Sequence, residues 1–254
     1  MSCPKVHEGR FLAVLLTALV LMAWCALWLW GSSPYGHLAM HGMHAMHTAG
    51  TPLLFGAVFV FGWLLMTVAM MLPTSMPLIL LFQKIVRGRP RSAWLIAVLI
   101  GGYLAVWTVF GVLAHFLNLA VRAGVRAVPS LADHPWVVAC AILGLAGLYQ
   151  FSPLKYSCLD KCRSPMSFVV HHWRGGNETA QALRLGIAHG LFCVGCCWSL
   201  MLLMFAVGSG SLGWMLALGL VMAAEKNLRW GRRLSAPVGI VLLVSAVVIG
   251  FTHI

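Results

Sequence analysis

LGIAHGLFCVGCCWSLMLLMFAV, Leu185 to Val207, runs for 23 residues without a charged side chain. Roughly 20 apolar residues suffice for a helix to cross the hydrocarbon of a bilayer. Backbone in lipid must satisfy its own polar groups, which favours helix over an open strand. The stretch therefore reads as a transmembrane helix, although it carries one histidine, three cysteines and two methionines.

Six further apolar runs surround it. With it they lie near 11–31, 53–82, 94–119, 136–151, 186–208, 211–227 and 235–252. The chain of 254 residues is 61% hydrophobic and 9% charged. A soluble domain carries about 25% charged residues, and five acidic side chains cannot solvate a surface of this size. The expected fold class is all-α: a polytopic transmembrane helical bundle of about seven spans. It forms a single integral membrane domain over residues 1–254. Pro73 and Pro77 predict a kink or an end in the second run, because each removes a helical hydrogen bond. The apolar stretch from Phe11 to Trp30 is long for a signal peptide and lacks a small-x-small site, so it reads as a retained anchor.

The formal net charge is +12. The basic residues lie between apolar runs, where they orient a membrane protein and meet anionic headgroups, so nucleic acid is not an expected partner and the lipid bilayer is. With the N-terminus inside, Lys5 and Arg10 fall on the cytoplasmic face. So do Lys84, Arg87, Arg89 and Arg91; Lys155, Lys161, Arg163, Arg174 and Arg184; and Lys226, Arg229, Arg232 and Arg233. That places 15 of 17 basic residues inside, leaving Arg122 and Arg126 outside. The positive-inside rule thus predicts an inner N-terminus and an outer C-terminus. Residues 32–52 become an external loop, and 152–185 a cytoplasmic one. Asn177 begins a glycosylation sequon but reads better as an N-cap of the following helix.

Four elements carry chemistry. His189, Cys193, Cys196 and Cys197 are spaced i, i+4, i+7 and i+8, which puts them on one helical face. Met201 and Met204 continue the stripe. Counting ~1.5 Å per residue from Arg184, the cysteines lie about 13–20 Å deep, near the bilayer centre. Imidazole, thiolate and thioether are borderline or soft donors suited to copper, with zinc the alternative. The second element is CLDKC, Cys158 to Cys162, which either completes a thiolate site or exchanges as a dithiol. Lys161 and Arg163 beside it would activate its thiols. The third is HLAMHGMHAMH, in which His37, His41, His44 and His47 interleave with Met40, Met43 and Met46. Alternating imidazole and thioether without charge suits copper capture. The fourth is a methionine series, Met66 and Met70 and then Met71 and Met76, within GWLLMTVAMMLPTSMP. Glu225 and Lys226 read as an interfacial pair at the inner end of the sixth run. There is no P-loop pattern, and no catalytic residue or bound cofactor other than metal is indicated.

Three segments carry a resemblance. The pattern W-x₂-M-x₃-MMLP (Trp63 to Pro73), GLYQFSPLKYSCLDKCRSP (Gly147 to Pro165) and HGLFCVGCCWSLM (His189 to Met201), followed by Glu225-Lys226, resembles an uncharacterised bacterial family of predicted metal-binding integral membrane proteins. The resemblance spans roughly residues 55 to 230. It implies a helical bundle that binds metal through Cys158, Cys162, His189, Cys193, Cys196 and Cys197, and hence a multi-pass protein of the bacterial inner membrane. The His/Met segment lies outside the matched part.

Together these readings predict a copper-handling membrane protein: a carrier, conduit or metallochaperone, with the segment at 37–47 as capture loop and the His/Cys/Met face as intramembrane site. A protein that delivers or accepts the metal, or a larger membrane complex, is the implied partner. The alternatives are a membrane thiol–disulfide redox protein and an assembly or structural subunit of a membrane metalloenzyme.

Overall fold

The computed structural model describes residues 7–32, 52–128, 131, 133–173, 176–207 and 212–253. The expected capture loop, with His37, His41, Met43, His44, Met46 and His47, lies outside them. Among the described residues nine α-helices occur in chain order: α1 His7–Ser32, α2 Pro52–Val86, α3 Ser92–Ala127, α4 Pro135–Tyr149, α5 Pro153–Arg163, α6 Pro165–His172, α7 Glu178–Val207, α8 Leu212–Asn227 and α9 Ser235–His253. A 3₁₀ turn, Gly231–Leu234, joins α8 to α9. No strand occurs among the described residues.

Each of the seven apolar runs is mostly helical over its described residues. Among the described residues five helices are long and apolar enough to cross a membrane: Phe11–Ser32, Gly56–Val86, Ser92–Ala127, Glu178–Met204 and Gly231–His253. Trp136–Tyr149 and Pro153–Arg163 pass the same test only as a pair bent by 62°. The 16 residues of α8 span about 24 Å at ~1.5 Å per residue, less than the ~30 Å of a hydrocarbon core. The described part of the segment 152–185 carries α5, α6 and the first turns of α7.

Local chemistry explains the helix boundaries. Asn177 caps α7 as expected, its side chain accepting from Ala180 N at 3.2 Å. Ser152 caps α5 by accepting from Leu154 N at 3.1 Å, and Pro153 occupies the first turn, where its missing N–H costs nothing. The prolines of α2 do not end it, since the helix continues to Val86. Pro73 deprives the Ala69 carbonyl of its helical donor. Trp24 of α1 supplies the replacement, its indole N–H donating to Ala69 O at 3.2 Å. The proline thus becomes a point of attachment for α1.

The tightest packing joins α3 to α7. Gly186 and Gly190 form a small-xxx-small pattern on α7, the kind that lets helix backbones approach closely. A side chain at Gly186 would stand 2.1 Å from the Leu99 carbonyl of α3, and one at Gly190 would meet Val106 at 2.9 Å. This closeness brings Tyr103 of α3 against His189 of α7, their rings stacked at 5.5 Å. The three α7 cysteines consequently face inward among α2, α3, α5 and α8.

Candidate metal centre

The site grows from α7. Residues three and four apart on a helix have Cβ atoms ~5–6 Å apart, so Cys193, Cys196 and Cys197 share a face but reach different neighbours. All three are at most 1% exposed. The thiols of Cys196 and Cys197 donate to the Cys193 carbonyl at 3.1 and 2.9 Å.

Two other helices bring sulfur to this face. In α5, Lys155, Cys158, Leu159 and Cys162 repeat at helical spacing, and the first three are buried. Cys162 Sγ stands 4.0 Å from Cys196 Sγ. Cys158 packs on Gly195 of α7, where an added Cβ would meet Cys158 Sγ at 2.6 Å. Gly195 is thus required for α5 to lie this close. From α2, Met71 Sδ lies 3.7 Å from Cys197 Sγ. With metal–thiolate bonds near ~2.3 Å, sulfurs at these separations can share one ion. All seven described cysteines are free thiols.

A cation sits inside the sulfur cluster. Lys226, from the last turn of α8, is 7% exposed. Its Nζ donates to Cys193 Sγ at 2.9 Å and Thr74 Oγ1 at 3.3 Å, and stands 3.8 Å from Met71 Sδ and 3.9 Å from Cys197 Sγ. Tyr103 places its hydroxyl 3.1 Å from Cys193 Sγ. His189 turns Nε2 toward Ser75 Oγ at 3.1 Å, while its Nδ1 is buried with no hydrogen-bond partner.

Glu225 does not pair with Lys226, contrary to the interfacial reading, and neither reaches the surface. Glu225 faces the opposite way. Lys155 Nζ donates to both its oxygens at 2.8 and 2.9 Å, and Ser235 Oγ adds a bond at 2.8 Å. Gln150 accepts from the same ammonium. Arg163 does not activate the nearby thiols; it donates to the carbonyls of Glu225 and Arg229. Gly231 makes this possible, since any side chain there would strike the Ala224 and Glu225 carbonyls. The end of α8 is thereby clamped between α5 and α9.

The sequence-derived residues therefore separate. Cys162 meets Cys196, while Cys193 and Cys197 both face Lys226. His189 lies one turn away on the far side of Tyr103, and Cys158 is buried behind the cluster. Met66, Met70, Met201 and Met204 are buried in the same hydrophobic core, but the α2 sulfur that reaches the thiols is Met71. Among the described residues no three His, Cys, Asp or Glu side chains form a ready-made metal-binding group, because the α7 cysteines fan out toward Tyr103 and Lys226, Cys162, and Met71 in turn. Sequence reasoning missed Tyr103, Lys155 and the inward turn of Lys226. The available signal was scarcity, since a chain with five acidic residues rarely places one inside an apolar run without a partner.

Neither a curated protein nor a solved structure matches the chain. Residues 60–249, which hold every residue of the sulfur cluster, match the PpoB2 family, described as copper chaperones. The chain belongs to that copper chaperone family.

Proposed function

We propose that the protein is a multi-pass protein of the bacterial inner membrane that carries Cu(I) as cargo. Its holding site is the sulfur cluster of Cys162, Cys193, Cys196, Cys197 and Met71. The observation that carries this reading is the convergence of sulfur from three helices on one buried face, with Cys162 at 4.0 Å and Met71 at 3.7 Å from α7 thiols. Thiolate and thioether are soft donors that suit Cu(I). The copper chaperone family supports the same cargo.

Charge favours copper over zinc. A buried cation needs compensating negative charge. Glu225 is engaged by Lys155, so the anions available to Lys226 are thiolates. Two thiolates neutralise Lys226 plus one monovalent ion, whereas a divalent ion requires a third buried thiol to ionise. The protein would take copper through the segment at 37–47 or release it there. The α5 side exchanges copper with an accepting or delivering partner.

Thiol–disulfide exchange competes for the same pair, since Cys162 and Cys196 need only close from 4.0 Å to the ~2.05 Å of a disulfide. Metal analysis of detergent-purified protein separates the two. Wild type grown with added copper should hold about one ion per chain, and the Cys193/Cys196/Cys197→Ser variant none. Wild type free of metal, with thiols that oxidise in pairs, would falsify the copper reading and favour exchange.

A further inference from the structure

A cavity of about 330 Å³ opens beside the cluster, lined by Lys161, Ser167, Phe168, His171, His172 and Phe192. Lys161, Ser167 and His171 are exposed, so its rim meets solvent. Its floor is Phe168, which is 3% exposed. That ring touches two histidines: His172 at 4.4 Å, within the cavity lining, and buried His189 at 5.8 Å. Beyond His189 come the stacked ring of Tyr103 and, 3.1 Å from its hydroxyl, Cys193 Sγ. An unbroken line of contacts therefore joins the cavity to the sulfur cluster.

Both histidines have a nitrogen available to a metal. His172 Nδ1 lies 2.9 Å from the Phe168 carbonyl. A carbonyl oxygen only accepts, so Nδ1 carries the proton, and in the neutral ring the lone pair belongs to Nε2. Fixing one ring nitrogen on a backbone carbonyl is how proteins orient a ligating imidazole. His189 Nδ1 is buried without a partner, an arrangement that is costly unless something else uses it.

We propose that this cavity is a second copper station, a loading port where Cu(I) binds His172 with His171 at the rim before passing Phe168 to reach His189 and the sulfur cluster. The inference rests on the copper-carrying reading above. The volume exceeds that of a bare ion, and Lys161 places positive charge at the entrance. Both features fit Cu(I) delivered as an anionic bis-thiolate complex. Transfer is stepwise ligand exchange: each of the two copper–sulfur bonds breaks as a copper–nitrogen bond forms, both thiolates leave to solvent, and copper stays Cu(I).

The test follows copper per chain over time after detergent-purified full-length protein is mixed with Cu(I)–dithiothreitol, with separation by rapid desalting. The His171→Ala/His172→Ala variant should fill about ten-fold more slowly yet reach the wild-type stoichiometry. Phe168→Leu, which keeps an apolar side chain there, should fill faster. Lys161→Glu should slow filling from the dithiothreitol complex but not from Cu(I) in acetonitrile. Wild-type rates in the double histidine variant would overturn the port alone. Absence of copper uptake by the wild type would overturn the copper-carrying reading with it.

Discussion

Two buried polar groups lie side by side at the end of α8, and their difference separates scaffold from site. Around Glu225, both carboxylate oxygens are engaged: Lys155, held in turn by Gln150 Oε1, and Ser235 close a network across the α4–α5 turn, α5, α8 and α9. Around Lys226, the next residue, the partners are sulfur atoms, a threonine and no carboxylate. A satisfied buried network fixes one arrangement. A cation among thiols waits for a change in charge. Successive residues point about 100° apart on a helix of 3.6 residues per turn, so one helix end serves both purposes.

Substitutions should break this contrast in graded fashion. The largest effect is expected at Lys155→Met, which leaves Glu225 buried and unpaired. Removing one partner of a buried ion pair costs about 3–5 kcal/mol, measurable as a lower midpoint of thermal unfolding in detergent. Adding Glu225→Gln to that variant should recover much of the loss. Next comes Gly186→Ala, whose Cβ would stand 2.1 Å from the Leu99 carbonyl. Pushing α3 from α7 should cost roughly 1–3 kcal/mol and loosen the Tyr103–His189 stack.

Lys226→Met sharpens the comparison from the other side. It leaves the closed network intact and fills the space with an apolar side chain, so the unfolding midpoint should hold. Cu(I) affinity, read by competition with a chromogenic chelator, should fall about ten-fold, corresponding to ~1.4 kcal/mol. An unchanged affinity would remove Lys226 from the charge argument. The smallest effect is expected from Met71→Leu. Near-isosteric apolar exchange costs less than ~1.5 kcal/mol, and loss of one thioether among thiolates should weaken Cu(I) only a few-fold.

Much of this architecture was legible in the sequence. Apolar length gave the seven helices that carry the apolar runs but not the short, more polar α5 and α6, and the absence of charge around Cys193 to Cys197 placed them inside. Asn177 was recognisable as a cap because a short polar side chain preceded an apolar run. What escaped was partnership between distant segments. Helical spacing put the cysteines on one face, but could not show that Cys162 and Met71 would meet them, because that depends on Gly186, Gly195 and Gly231 allowing backbones to touch. Met66 and Met70 were indistinguishable from Met71 by spacing. Glu225 and Lys226 looked like a surface pair because adjacency hides that they face different helices. Pro73 suggested a kink or an end in α2, but the helix runs on to Val86 and Trp24 donates to the carbonyl that the proline leaves free.

The most direct test of the central claim is copper X-ray absorption on Cu(I)-loaded wild type and on Cys162→Ser. A holding site assembled across α2, α5 and α7 predicts a first shell dominated by sulfur that loses one sulfur scatterer when Cys162 is replaced. A shell of nitrogen and oxygen, or one identical in both proteins, would contradict it.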